Sequence, residues 1–190
     1  LHKFLLLLLF CSTGRALHAA PELPMRFFAD SAGRALFKVN ASLQDYRLSG
    51  MLIVKRMPGG EIRAVMTMET GIKVFDISAG PRKIRLNDAM KMYRNPFLRQ
   101  ILFRDLRLLL SIPELCSLSN ENGIIQGREG KWKYTYTKAG NNTLRKTRIK
   151  GRKACENADI QLDSDRLLQK STHDFGKFPY RSEYQRLGTS

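Results

Sequence analysis

The sequence predicts an α+β domain: a curved antiparallel sheet wrapped around or over one central apolar helix, its plug or lid. Three observations point there. Residues 34 to 187 break largely into short stretches in which apolar and polar residues alternate, separated by Gly, Pro and Asn. Only Asn95 to Leu110 has an unambiguous helical period after the N-terminus. Hydrophobic residues make up 43% of 190 residues, which is enough to build the core of a single domain and excludes a disordered chain.

The first twenty residues stand apart from that domain. His2 and Lys3 precede an apolar run from Phe4 to Phe10, followed by small and polar residues, the layout of a secretory signal. The run is too short to span a bilayer. Two exits are open: Cys11 as a lipid-modified cysteine, or cleavage after Ala19 or Ala20 in ALHAAP. Either places the protein outside the cytoplasm. Residues 21–33 read as a leader and 34–190 as the domain.

Arg34 to Leu43 alternates as a first strand, with Ala35, Phe37, Val39, Ala41 and Leu43 on one face. Tyr46 to Arg56 follows, and its central Gly50 predicts a bulge or bend. MPGG at Met57 to Gly60 is the clearest turn, joining that strand to Glu61 to Thr70, where Ile62, Ala64, Met66 and Met68 share a face. Ile72 to Ile77 and Lys83 to Leu86 add two short strands.

The helix comes next. Asn95 can cap it, Pro96 fits the first position, and Leu98, Ile101, Leu102, Leu106 and Leu109 form its stripe. Phe97, Phe103, Leu108 and Leu110 widen the stripe, leaving Arg99, Gln100, Arg104, Asp105 and Arg107 as a narrow polar strip. SLSNENG after Pro113 reads as a polar loop. Gly123 to Gly127, Lys131 to Lys138 and Thr143 to Lys150 read as three strands, with Trp132, Tyr134 and Tyr136 sharing a core face. Ile160 and Leu162, then Leu167 to Thr172, lead to a final strand with an aromatic face, Phe178, Tyr180, Ser182 and Tyr184.

A formal charge of +16 favours anionic surroundings. It concentrates between Arg128 and Lys153, where ten basic residues face the single acid Glu129. That run is either the solvated face of a sheet or an anion-facing patch, in which Lys146, Arg148, Lys150, Arg152 and Lys153 are the surface contacts. The aromatics there lie opposite the lysines of their own strand, which ranks nucleic acid low.

No catalytic constellation emerges. His173 beside Asp174 makes a poor dyad, because adjacent strand residues point to opposite faces, and it reads as a surface or strand-end histidine. Ser49 lacks a nucleophile elbow. No Cys/His cluster suggests a metal site, and no cofactor is expected. Cys116 and Cys155 are either one disulfide or two separate thiols.

The stretches YRLSGMLIVKRMPGGEIRAVMTMETGIKVFDI, NPFLRQILFRDLRLLL, WKYTYTKAGNNTLRKTRIKGRK and HDFGKFPYRSEYQRL together resemble the LolA/LolB-like group, the lipoprotein carriers and receptors of the bacterial periplasm, and particularly its exported members from Bacteroidetes. The resemblance implies an unclosed barrel with a helix-bearing lid over an apolar concavity that receives acyl chains. Members similar to this chain are often lipoproteins of the periplasm or the periplasm-facing outer membrane, which brings lipidation at Cys11 level with cleavage after Ala19 or Ala20. No Arg aligns with the gating residue of the carriers.

The expected function is therefore binding of lipid or acylated polypeptide, including lipoproteins, by a monomeric, membrane-associated, non-enzymatic protein. Met51, Ile53, Ala64, Met66, Met68 and Val74 would line the concavity with Leu98, Ile101, Leu102, Leu106 and Leu109, the methionines adapting to guest chains. The same residues would equally serve as a filled core. In that case the runner-up is an envelope interaction protein whose basic face binds an anionic glycan or protein.

Overall fold

The computed structural model describes residues 25–29, 33–80, 83–110, 117–121, 124–129, 132–150 and 153–188. The signal segment with Cys11, most of the leader, Cys116 and Arg152 lie outside the described residues.

Five strands precede the helix: β1 Arg34–Leu43, β2 Tyr46–Arg56, β3 Ile62–Met68, β4 Lys73–Ala79 and β5 Ile84–Ala89. A 3-10 turn, Lys91–Arg94, leads into α1, Pro96–Leu109. Seven strands follow: β6 Ser117–Glu121, β7 Ile124–Glu129, β8 Trp132–Lys138, β9 Thr143–Lys150, β10 Lys153–Leu162, β11 Leu168–Asp174 and β12 Tyr180–Arg186. SLSNENG, expected as a loop, supplies β6, because its backbone pairs with β7 (Ser117 opposite Arg128, Glu121 opposite Ile124) despite its polar composition.

All twelve strands form one antiparallel sheet in the order β5-β4-β3-β2-β1-β12-β11-β10-β9-β8-β7-β6. Among the described residues β5 and β6 are the two free edges, so the sheet is open. It consists of two meanders joined along a single seam, β1 against β12, where Phe37 stands opposite Arg186 and Leu43 opposite Tyr180. The chain leaves the first meander at one edge of the sheet and enters the second at the other. Helix α1 lies on that connection, on the face we call inner.

Register fixes which side chains face inward. Across the first half these are Ala35, Phe37 and Val39 of β1, Leu52 and Val54 of β2, Ile62, Ala64 and Met66 of β3, and Phe75, Ile77 and Ala79 of β4, all buried. Met51 and Ile53, expected with them, are on the opposite face, paired with Thr67 and Val65, and Met51 is 42% exposed. MLIV is apolar at every position, so alternation could not set its phase; the pairing of Gly50 with Val39 and Met68 does.

Gly50 itself is not a bulge, since β2 pairs in unbroken register on both sides. Glycine is needed for closeness: a Cβ there would sit 2.1 Å from the Thr67 carbonyl oxygen. Gly50→Ala must push β2 and β3 apart and is expected to cost about 1–3 kcal/mol. Thermal unfolding measures this, and an unchanged midpoint would mean the two strands part freely.

Part of the stretch read as a leader packs into the core. Met25, Phe27 and Phe28 are buried, the Phe27 ring lies 5.6 Å from that of Phe37, and Arg26 bridges to Leu167. Arg186 clamps this segment by donating to the carbonyls of Phe27 and Leu168 while its guanidinium lies over the Phe37 ring.

Candidate functional site

Helix α1 begins as its sequence dictates. The Asn95 side chain accepts from the Phe97 amide at 2.9 Å and Pro96 fills the first position. Its buried residues are Ile101, Leu102, Asp105, Leu106, Leu108 and Leu109. Asp105 therefore belongs to the buried stripe, not to the polar strip.

Beneath it, the inner face changes character. On β11 and β12 the inward residues between Leu168 and Arg186 are Ser171, His173, Tyr180, Ser182 and Tyr184, and four of these five donate to the one carboxylate. His173 Nδ1 and Ser182 Oγ reach Asp105 Oδ1, each at 2.6 Å, while the hydroxyls of Tyr180, at 2.6 Å, and Tyr184 reach Oδ2. Burial alone would push this carboxyl up, but the attraction of His173 and the converging hydrogen bonds outweigh it and hold the pKa below the usual carboxylate range. A carboxylate only accepts, so Nδ1 carries the hydrogen. Burial and the Asp105 charge drive the Tyr180 and Tyr184 hydroxyls well above their ordinary value, and burial takes Tyr93 to about 12.

His173 Nε2 faces Ser171 Oγ at 2.8 Å, which completes a serine, histidine, aspartate relay. The hydroxyl is fully buried. In this conformation it meets no substrate, and the three groups satisfy one another. Of the two expectations, surface or strand-end, burial overturns the first: His173 lies near the end of β11 but in the core.

A second polar cluster lies next to the first. A β-bulge at Cys155, the extra residue between the pairs Ala154 with Ile149 and Glu156 with Arg148, turns Glu156 inward. Glu156 is fully buried and receives both Arg148 Nε and Nη2 at 2.6 Å, together with Arg104 from the helix. Arg148 also stacks over Trp132 and Arg104 over Phe175. Lys146, likewise without exposure, donates to the Arg107 carbonyl at 2.6 Å and lies over the Tyr134 ring.

Lys146 and Arg148 therefore are not surface anion contacts. Basic and aromatic residues of β8 and β9 share the inner face across the strand pair, although they alternate faces within each strand. Lys150 and Lys153 are exposed as expected. Cys155 is a free, half-buried thiol whose Sγ lies 3.5 Å from the Lys153 carbonyl.

The structure brings Ala64, Met66, Val74, Ile101, Leu102, Leu106 and Leu109 together in one buried cluster, with Met68 and Leu98 half-buried at its margin. Ala64, Val74, Leu106 and Leu109 have no accessible surface at all, so no water-sized void touches them. Two hollows formed by the described residues lie elsewhere. One of about 370 Å³ has Ile125, Tyr136, Leu144 and Leu162 among its walls, and one of about 530 Å³ lies over β2, β1, β12 and β11.

Four large apolar residues are exposed at one end of the sheet: Tyr46 at the start of β2 (75%), Ile72 before β4 (55%), Met92 (43%) and Phe97 at the start of α1 (57%). Phe97 packs edge-on against Phe178 of the β11–β12 turn, which fixes the helix N-terminus at that rim. Exposed Arg47, Lys91, Arg94 and Lys177 are interspersed among them.

Comparison with protein-family models finds no match, and comparison with curated protein sequences finds none.

Asp105, Glu156, Ser171 and Tyr180 were absent from the sequence-derived site. The usable signals were Asp105 in the middle of the helical stripe and the same-face spacing of Ser171 with His173 and of Tyr180, Ser182 and Tyr184.

Proposed function

We propose that this is an exported envelope protein that binds an acyl chain, of a lipid or an acylated polypeptide, between helix α1 and the apolar half of the sheet, as a carrier or receptor. In this reading the sheet curls into a half-barrel and α1 is its hatch, seen closed.

Width supports the curl. Twelve flat strands would span roughly 50 Å, whereas a helix of α1's length covers about 20 Å. Yet inward residues are buried from Ile84 of β5 to Tyr136 of β8.

The observation that carries the hatch is the polar share of the helix interface. Towards β9–β12 the helix is held by Asp105, Arg104 and the Arg107 carbonyl, all polar contacts, while its leucines join an apolar cluster that runs through both meanders, from Phe37, Leu52 and Ile77 to Ile160 and Leu168. Buried ionic attachments add little net stability over an apolar seam. They break at discrete points and each group can take up water, which suits a cover that must come away. A guest chain would replace the leucines over the apolar half, each buried methylene contributing about 0.8 kcal/mol. The rim, with its four exposed apolar residues among charges of both signs, Asp45, Glu69 and Asp174 beside the basic residues, supplies a membrane-facing end.

A reversible lock tests this. With the native cysteines replaced by serine, Asp105→Cys with Ser182→Cys puts two thiols where the present side chains are in hydrogen-bond contact. The oxidised protein should take up no fluorescent fatty acid and the reduced protein should do so. Equal uptake in both states, or none by the native chain, would sink the proposal.

A further inference from the structure

We infer that the outer face of the sheet carries a phosphate-binding groove between Arg47 and Arg181, on the side away from α1. The inference is independent of the acyl-chain reading, because no residue of the inner cluster forms this groove's charged walls.

Three adjacent strands build it. Ser42 of β1 stands opposite Arg47 of β2 on one side and opposite Arg181 of β12 on the other, so the two arginines flank a single hydroxyl in one row across the sheet. Two strand spacings separate their backbones by about 10 Å, a gap that two long side chains can close upon one small anion. The next row supplies neutral polar groups in line, Ser49 opposite Asn40, with Thr172 of β11 beyond Glu183. These residues line the hollow of about 530 Å³.

Charge decides the class of ligand. Arg47 and Arg181 are exposed and neither forms an ion pair with a described acid, although Asp174 of β11 stands opposite Arg181, its carboxylate accepting from the Gly176 amide. Lys38 of β1 stands exposed one row beyond Asn40 and adds to the positive field, while two other outer-face cations are engaged, Arg145 with Asp159 through two hydrogen bonds and Lys170 with Glu183 at 2.8 Å. Glu183, the one acid in the lining, is thereby neutralised. What remains is two guanidiniums with their fork-shaped donor sets, plus hydroxyl and amide groups able to turn a hydrogen towards an oxygen. That set fits a tetrahedral oxyanion with several acceptor oxygens better than a single carboxylate, and the arginine fork matches phosphate geometry.

The groove lies directly behind Tyr46, one of the exposed rim residues. A phosphate reaching it could therefore belong to a lipid head group or to a soluble phosphorylated compound; the chemistry recognised is the same.

The test uses the whole chain and two probes. Calorimetric titration with inorganic phosphate at fixed ionic strength should give saturable binding, weakened roughly tenfold or more in Arg47→Gln/Arg181→Gln, since each arginine contributes charge-assisted hydrogen bonds. Lys150→Gln/Lys153→Gln, which removes equal charge from exposed positions elsewhere, should bind phosphate as the native chain does. Circular dichroism would verify that both variants fold, as expected for exposed sites.

Co-sedimentation with phosphatidylglycerol vesicles then separates the sources. Loss of vesicle binding in the arginine variant alone, with competition by free phosphate, supports the site and assigns it to a head group. Retained vesicle binding with lost phosphate binding supports the site and assigns it to a soluble ligand. Absence of phosphate binding by the native chain, or equal weakening in both double variants, would overturn the inference.

Discussion

Asp105→Ala will unfasten α1 from the second meander and cost about 3–5 kcal/mol, the range for removing one partner of a buried charged pair. Four donors, from His173, Ser182, Tyr180 and Tyr184, lose their acceptor at once beneath a helix that keeps water out. For a domain stable by about 5–15 kcal/mol this is a large fraction, equivalent to a fall in Tm on the order of 10 °C. Chemical unfolding would measure it, and a loss below about 1 kcal/mol would mean the cluster is not the attachment we describe.

The same cluster sets both ends of the stability plateau. Because the folded pKa of Asp105 is depressed, its contribution is complete above the unfolded carboxylate value of about 4 and disappears as pH falls through the folded one. Tyr180 and Tyr184 are raised, so their contribution is complete below the unfolded phenol value of about 10 and is lost as pH climbs towards the folded ones. Unfolding followed against pH should show a plateau between those limits. In Asp105→Ala the acid-side decline should be shallower.

Glu156→Ala should be comparably severe, about 3–5 kcal/mol, for the opposite reason: it strands cations. Arg148 is buried and Arg104 partly so, and without Glu156 they face each other with no counter-charge. Arg104→Ala should cost less, because Arg148 still holds Glu156 through two hydrogen bonds. Urea midpoints for the three proteins give the order directly. If Arg104→Ala proves as damaging as Glu156→Ala, the helix-borne arginine is the main partner and the assignment here is wrong.

Most strands, the helix and its cap were legible in sequence because each is a local pattern. The first error of register, at Met51 and Ile53, came where four successive apolar residues erased the alternation. Glu156 was invisible for a related reason: its inward direction depends on an extra residue in β10 that no one-strand pattern reveals. Lys146 and Arg148 were taken for surface because charge usually is. Only the pairing of β8 with β9 sets them among Tyr134, Tyr136 and Trp132, and only the fold brings Asp105 across from α1 to His173. The apolar half of the interior could be anticipated from composition, whereas the polar half is a product of long-range contacts.

The seam between β1 and β12 also governs how the molecule comes into being. Every other strand neighbour in the sheet is also a neighbour in the chain, so each meander can assemble by successive short closures. Joining Phe37 to Arg186 instead closes a loop of most of the chain, the costliest step in conformational entropy, and pairings of such high contact order form slowly. Until they form, β1 and β12 are two bare strand edges, and newly made chains are most open to pairing with one another there.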